Sequence, residues 1–168
     1  RETLEDYYPQ ILSDFQDPSI TYTYGNRIKG YFGVDQEELV VEKLVKDPLS
    51  RSAVISTWDP RHDPVIGGSP CINHLHFRID ARERLHLTVL IRSNDMGSAW
   101  PNNAYSMRKL QKRVLDTVNE QREFPYQLGQ LVTISQSAHL YRDWWEKAKQ
   151  IVEVHLKEVM PDDAFVPD

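Results

Sequence analysis

One cysteine stands among 168 residues. An internal disulfide is therefore excluded, and the chain suits a reducing compartment, with the cytoplasm as the expected one. No apolar run reaches the length of a bilayer-spanning helix, so a membrane-embedded protein is not expected. Positive charge is not in excess either: 25 acidic residues against 20 Lys and Arg leave a net charge of −5. Binding along a nucleic-acid backbone needs many Lys and Arg on one face, so that class is set aside, but a local basic pocket for one phosphate is not. Internal repeats and low-complexity stretches are absent, which argues against solenoids and disordered linkers. The opening RETLEDYYPQ is neither a signal peptide nor a transit peptide, and it has no initiator methionine, so further residues upstream are expected.

What is present is ordinary for a folded protein. Forty per cent of the residues are hydrophobic and 27% charged, in a length that fits one domain over 1–168 with a sizeable core. Leu4, Tyr8, Ile11, Leu12 and Phe15 recur at helical spacing, and Asp17-Pro18 ends that helix. ITYTYG then reads as a β-rich stretch closed by Gly25. Asp35 caps a helix over DQEELVVEKLVKD, with Glu38 completing a capping box and Leu39, Val40, Leu44 and the stem of Lys43 on the buried side. AVISTW, residues 53–58, reads as a strand, and RHDPVIGGSP as a loop. INHLHFRID and RLHLTVLIRS both alternate and are joined by a short linker, as in a hairpin. In the first, Ile72, His74, His76 and Arg78 alternate against Asn73, Leu75, Phe77 and Ile79. A long helix begins near Pro101, with Tyr105, Leu110, Val114, Leu115 and Val118 as its apolar stripe. QLGQLVTISQSAHLY reads as one more strand, RDWWEKAKQIVEVHLKEV as the last helix, and the tail after Pro161 as a loose end or arm. Strands and long helices mix without strict βαβ alternation, which predicts an α+β fold built on a mixed or antiparallel sheet.

Three places carry polar residues that a sheet core would not want. Cys71 follows a Gly-rich loop and precedes a strand, so its sulfur can stand at the mouth of a pocket. A lone cysteine is more often a small buried apolar residue. Arg92-Ser93-Asn94-Asp95 ends an apolar strand and offers a recognition edge; the bland alternative is an exposed Arg92–Asp95 ion pair. Ser135-Gln136-Ser137 leads to His139 and Tyr141, which share a face if the strand continues. His74, His76 and His86 can meet across two strands, but no Cys or carboxylate stands at ligand spacing, so no metal site is assigned. Trp144-Trp145 reads as core and interface, and Tyr22 and Tyr24, alternating with Thr, as a half-buried strand.

Taken in order, YTYGNRI, DPLSRSAVISTWDP, PC, RSND, WPNN and AHLY, within residues 22–141, resemble the thymidylate synthase family. No single piece is specific; six in the same order and spacing are. Ala99-Trp100-Pro101-Asn102-Asn103, in place of a Leu-Gly-x-Pro-Phe-Asn stretch, is similar to the short archaeal branch of that family. The resemblance implies an α+β fold, a homodimer with a sheet face at its interface, and reductive methylation of dUMP to dTMP. It implies no metal. The methylene group and the hydride come from 5,10-methylenetetrahydrofolate or from methylene-tetrahydromethanopterin. By the same resemblance Cys71 is the nucleophile, and Arg92 and Ser93 hold the nucleotide phosphate. Arg51 reaches that phosphate from the partner subunit, and the Asp95 backbone contacts the uracil ring. Asn103 reads O4 and N3, His139 and Tyr141 contact the sugar hydroxyl, and Tyr24 helps remove the C5 proton through ordered water.

The chemistry explains why such residues are needed. Uracil C5 is a poor nucleophile until a thiolate adds at C6 and converts the ring to an enolate, so Cys71 must act as thiolate. A nearby guanidinium favours that form, and Arg92 is the candidate. An amide at Asn103 can donate to the enolate oxygen and accept from N3–H, whereas an aspartate would suit cytosine. The sequence departs from the family at Ser52, where a second arginine is usual, and at Ile72, where many members have histidine. The family's glutamate acid/base and a phosphate-gripping arginine loop belong ahead of YTYG, and the surroundings of Glu2 and Glu5 do not match that segment. About 40 to 60 residues are therefore expected upstream, a length taken from domain-size priors. Two alternatives remain at this point: a pyrimidine nucleotide hydroxymethylase, in which water quenches the exocyclic methylene, and a dimeric nucleotide-binding protein without turnover.

Overall fold

A computed structural model describes Leu12 and residues 19–159. The expected first helix lies outside the described residues except for Leu12, which is helical and buried. The tail after Pro161 lies outside them too.

The first described helix, α1 (Tyr24–Lys29), replaces the expected β-stretch. Thr23 caps it, its hydroxyl accepting from Asn26 N at 3.0 Å, and Gly25 sits inside the helix rather than closing a strand. The β-preference of Tyr and Thr is weak enough for a cap and tertiary burial to override it. The helix α2 (Gln36–Lys46) is capped by Asp35 as expected, its carboxylate accepting from the Glu37 and Glu38 amides. Its buried face is Glu37, Val40, Val41 and Leu44, an i, i+3, i+4, i+7 set. Leu39, assigned to that face from sequence, is 51% exposed, and Lys43 is exposed as well. Glu37 is on the buried face because Arg113 meets it with two bonds of 2.6 Å.

One four-stranded sheet runs in the order β1-β2-β3-β5, from β1 (Val54–Ser56), β2 (Ile72–Ile79), β3 (Arg84–Ile91) and β5 (Gln127–Ser135). The β2–β3 pair is the expected antiparallel hairpin. The long helix α3 (Ala99–Asn119) carries the chain back so that β5 lies parallel to β3, a βαβ unit that the sequence pattern did not reveal. The alternation expected for β2 holds from His74 onward and fails at Ile72, which is fully buried. A bulge between Ile72 and His74 is the reason: Ile72 faces Ile91 while His74 faces Leu90, so two residues advance against one and the side chain turns inward. The single strand expected over 127–141 is also broken. It bends at Gln136-Ser137, and a two-residue strand β6 (Ala138–His139) pairs instead with β4 (Asn94–Asp95).

The core lies between one sheet face and the helices. Leu75, Phe77, Leu87, Val89 and Ile91 pack with Leu110, Val114 and Val118 of α3 and with Val40 and Leu44 of α2, all buried. After β6 come a 3-10 turn (Arg142–Trp144) and α4 (Trp145–Val159). Trp144 packs on Gly97, where a Cβ would come within 2.6 Å of its ring, so glycine is required there. Trp145, expected in a core or interface, is 52% exposed.

The parallel β3–β5 pair shifts register between Leu85 and Leu87. Gln111 of α3, fully buried, covers that irregularity: its Nε2 donates to Leu85 O at 2.8 Å and to Gln130 O at 3.1 Å. Arg108 Nη1 donates to the Gln111 Oε1 at 2.8 Å, completing the amide. Gln111→Leu would strand these carbonyls in an apolar layer. The expected cost is about 1–3 kcal/mol of unfolding free energy in a urea titration. A loss well under about 0.5 kcal/mol would show that the carbonyls find other partners.

Candidate active site

Cys71 stands where the loop after β1 meets β2, and its place is set by bonds to the loop's backbone. Arg92 Nε donates to Pro70 O at 2.9 Å and its Nη2 to Ser69 O at 2.8 Å. The Arg92 amide donates to Cys71 O at 2.8 Å, and the guanidinium carbon lies 5.5 Å from the Trp58 ring centroid. On the other side the Ile72 amide donates to the Tyr24 hydroxyl at 3.2 Å, and Thr57 Oγ1 donates to Ile72 O. The sulfur-bearing residue is thus gripped by carbonyls and amides on both sides.

The second wall comes from β4 and β6. Asn94 N donates to Ser137 O at 2.8 Å and Met96 N to His139 O at 2.9 Å, which sets Asp95 opposite His139. Tyr141 follows, its ring edge-on to His139 with centroids 5.1 Å apart. The Asp95 carboxylate turns to the start of α3, accepting from Gly97 N at 3.0 Å and from the Ser98 hydroxyl. Those bonds, led by the Ser98 hydroxyl, hold it below the usual carboxylate range. The Arg92–Asp95 ion pair weighed from sequence does not form: Asp95 is committed to the helix start and Arg92 to the loop. The α3 helix contributes Asn103, which is 6% exposed.

A cavity of about 260 Å³ opens between these walls. Cys71, Tyr24, Asn103, Ser93, Asp95, His139 and Tyr141 line it, together with Tyr22 and Ala99. The structure therefore brings seven of the nine sequence-assigned site residues together. Arg92 is half-buried on the carbonyls before Cys71, and Arg51 is exposed on the segment leading into β1; neither is among the residues lining the cavity. Tyr22 was missed. Its spacing from Tyr24 was the available signal, but that spacing reads as a half-buried strand until the Thr23 cap is known. Ala99 offers no chemical signal at all. The Tyr22 and Tyr24 rings meet edge-on at 5.4 Å. Burial pushes both phenols up, Tyr24 well above the ordinary value, so near neutrality both carry their protons.

Of the histidines of β2 and β3, His86 is held by hydrogen bonds, whereas His76 Nε2 is buried without a partner. The Gln130 amide donates to His86 Nδ1 at 3.1 Å, so Nε2 carries the proton toward Asp80, 3.0 Å away. His74 and His76 have ring centroids 6.4 Å apart, and burial, with His76 beside it, lowers the pKa of His74. Among the described residues no group of three or more His, Cys, Asp or Glu is placed to hold a metal ion, and no helix is long and apolar enough to cross a membrane.

Comparison with known proteins bears on the same residues. The family model for thymidylate synthase matches residues 2–161. A Methanosarcina barkeri protein named "Putative thymidylate synthase" is 39% identical over 153 residues, 90% of this chain and 67% of that protein. A protein of the same name from Methanopyrus kandleri is 32% identical over 136 residues, covering 81% of this chain and 62% of its own length. Among solved structures, the thermostable thymidylate synthase A from Bacillus subtilis superposes with a TM-score of 0.62 at 25% identity, over 76% of this chain and 44% of that one. The chain thus spans about two thirds of the length of the archaeal relatives. A match across nearly all of its residues, cavity walls included, decides the family: this chain belongs to the thymidylate synthase family of methyltransferase enzymes.

Proposed function

We propose that this protein, within a single domain over 1–168, converts dUMP to dTMP through a covalent bond between Cys71 and C6 of the pyrimidine. The observation that carries the reading is the convergence on one cavity of a thiol, a buried amide, a serine and a His–Tyr pair from distant segments. The Cys71 thiolate adds to C6 and its electrons move through C5–C4 to the carbonyl oxygen. Asn103 donates to that oxygen as charge builds and accepts from N3–H. The second substrate, 5,10-methylenetetrahydrofolate or methylene-tetrahydromethanopterin, supplies the carbon and the hydride. Once C5 has taken the methylene carbon, loss of the C5 proton to ordered water beside Tyr24 lets the carbon–pterin bond break and leaves an exocyclic methylene at C5. Hydride from the reduced pterin converts it to methyl as the Cys71 sulfur leaves C6, which restores the C5–C6 double bond and leaves the pterin oxidised.

The phosphate goes to Ser93 and Arg92, whose Nη1 is left over once Nε and Nη2 have taken the loop carbonyls. Arg51 completes that grip from a partner subunit. Support for a homodimer comes from the sheet face turned away from the helices. Val54, His76, Thr88 and Val132 align across four strands, with Ser56, His74, Leu90 and Ile134 in the next row. Val132 and Ile134 are 42% and 48% exposed there, a face suited to burial against its own copy.

Mass analysis after incubation with 5-fluoro-dUMP and the methylene donor is expected to find one covalent adduct, on Cys71, absent in Cys71→Ala. An adduct that persists in the variant removes Cys71 from the chemistry. With ordinary dUMP the product mass separates methyl from hydroxymethyl. Asn103→Asp is expected to move the kcat/KM preference from dUMP toward dCMP by about 100-fold or more, since a mismatched buried polar edge discriminates strongly. Unchanged uracil preference would refute the base-reading role. Sedimentation velocity should find a dimer, and a monomer alone would break the assignment of Arg51.

A further inference from the structure

Arg27 and Asp63 lie outside the cavity, and the chemistry above gives them no part. Arg27 comes from α1 and Asp63 from the loop between β1 and β2. They are 1% and 2% exposed. Their contact is bidentate, Nη1 to Oδ2 at 3.1 Å and Nη2 to Oδ1 at 2.7 Å. Nη1 also donates to Thr57 O at 3.3 Å, and the Tyr31 ring centroid lies 3.9 Å from the guanidinium carbon. The Arg27 Nε is buried with no partner. Such a pair is a poor device for stability alone, because apolar side chains of similar volume hold a core as well or better.

Its neighbours suggest what else it does. Asp63 Oδ2 accepts from the Asp59 amide at 2.7 Å, and Asp63 O accepts from the Ser69 hydroxyl at 2.5 Å. Ser69 O and Pro70 O are the two carbonyls that Arg92 holds. A continuous run of polar contacts therefore leads from Arg27 through Asp63 and Ser69 to the backbone beside Cys71. The loop between has two prolines, two glycines and no sheet ladder to fix it.

We propose that the Arg27–Asp63 pair is a positioning element for Cys71, fixing the base of this loop so that the sulfur stands at attack distance from C6. The role rests on the methyl-transfer reading. It acts on the reaction more than on nucleotide binding, because Ser93, Asn103 and the end of β3 that carries Arg92 belong to other elements. A sulfur displaced by about 1 Å loses up to about 100-fold in rate while the substrate still binds.

The test is Arg27→Met combined with Asp63→Leu in the full-length protein, which removes both charges and fills the space with apolar atoms. The KM for dUMP is expected to stay near wild type, while the melting temperature falls because the Asp59 amide and Thr57 O lose their partners. The kcat and the rate of 5-fluoro-dUMP adduct formation are expected to fall about tenfold or more. A double variant with wild-type kcat, or one altered in KM alone, overturns the proposal. If that variant does not fold, Ser69→Ala cuts the same run of contacts and leaves the ion pair intact; adduct formation about threefold slower supports the role, and an unchanged rate overturns it. A wild-type protein that forms no adduct overturns the methyl-transfer reading and this role with it. A normal wild type beside an equally fast variant overturns the positioning role alone.

Discussion

The site depends on one constraint: Cys71 belongs to a loop, and a loop has no ladder of its own. In a strand the register fixes each residue to within the reach of a hydrogen bond. Here side chains do that work from outside, as Arg92 holds Ser69 O and Pro70 O while Tyr24 receives the Ile72 amide. Arg is suited to the task because its fork presents two N–H groups at fixed separation to two successive carbonyls. A lysine would offer one point of attachment and leave the loop free to pivot about it. The same geometry limits what else the arginine can do. Two of its five N–H groups are spent on the loop, so those left on Nη1 and Nη2 keep directions that the loop has already fixed.

The bulge at Ile72 is the counterpart of this grip on the sheet side. Without it, Ile72 would follow the parity of His74 and turn outward, and Cys71 would move to the other side of the strand's mean plane. One extra residue reverses both. The cost of the interrupted ladder is met locally: Thr57 N donates to Asn73 O at 3.0 Å, and the Thr57 hydroxyl takes Ile72 O. At the far wall the short β4–β6 pair does a similar job with two bonds, and Asn94 ties it to β5 through Ser135 Oγ at 2.8 Å. The cavity is thus built where regular pairing gives way at strand ends, which leaves backbone and side-chain groups available to a ligand.

Long-period features of this fold were legible in the sequence, and local breaks were not. The apolar stripe of α3 from Leu110 to Val118 and the β2–β3 hairpin follow from spacing that many residues repeat, so an exception such as Tyr105, off the buried face, does not hide them. The bulge at Ile72, the bend at Gln136 and the helix starting at Tyr24 each turn on one or two residues, and tertiary contacts decide them. Site residues divide in the same way. Cys71, His139 and Tyr141 were singled out because polar groups are unusual at their positions, and Asn103 only through the family resemblance; all four line the cavity. Tyr22 was passed over because an aromatic alternating with threonine is what any strand shows. The role of Arg92 was read from its charge, whereas the structure uses its shape as well.

Ionisation within the cavity narrows the route a proton can take. Burial keeps Tyr22 and Tyr24 in the protonated phenol form, and the bonds from the helix start keep Asp95 ionised. Tyr24 cannot then act as a phenolate base near neutral pH, since the energy needed to ionise it in this setting works against the transfer it would assist. It remains able to accept and donate hydrogen bonds, and its oxygen already accepts one from the Ile72 amide. On the methyl-transfer reading, a proton leaving C5 would therefore pass to solvent and not to the phenols themselves. Tyr141, 60% exposed, is one lining residue through which the cavity meets solvent.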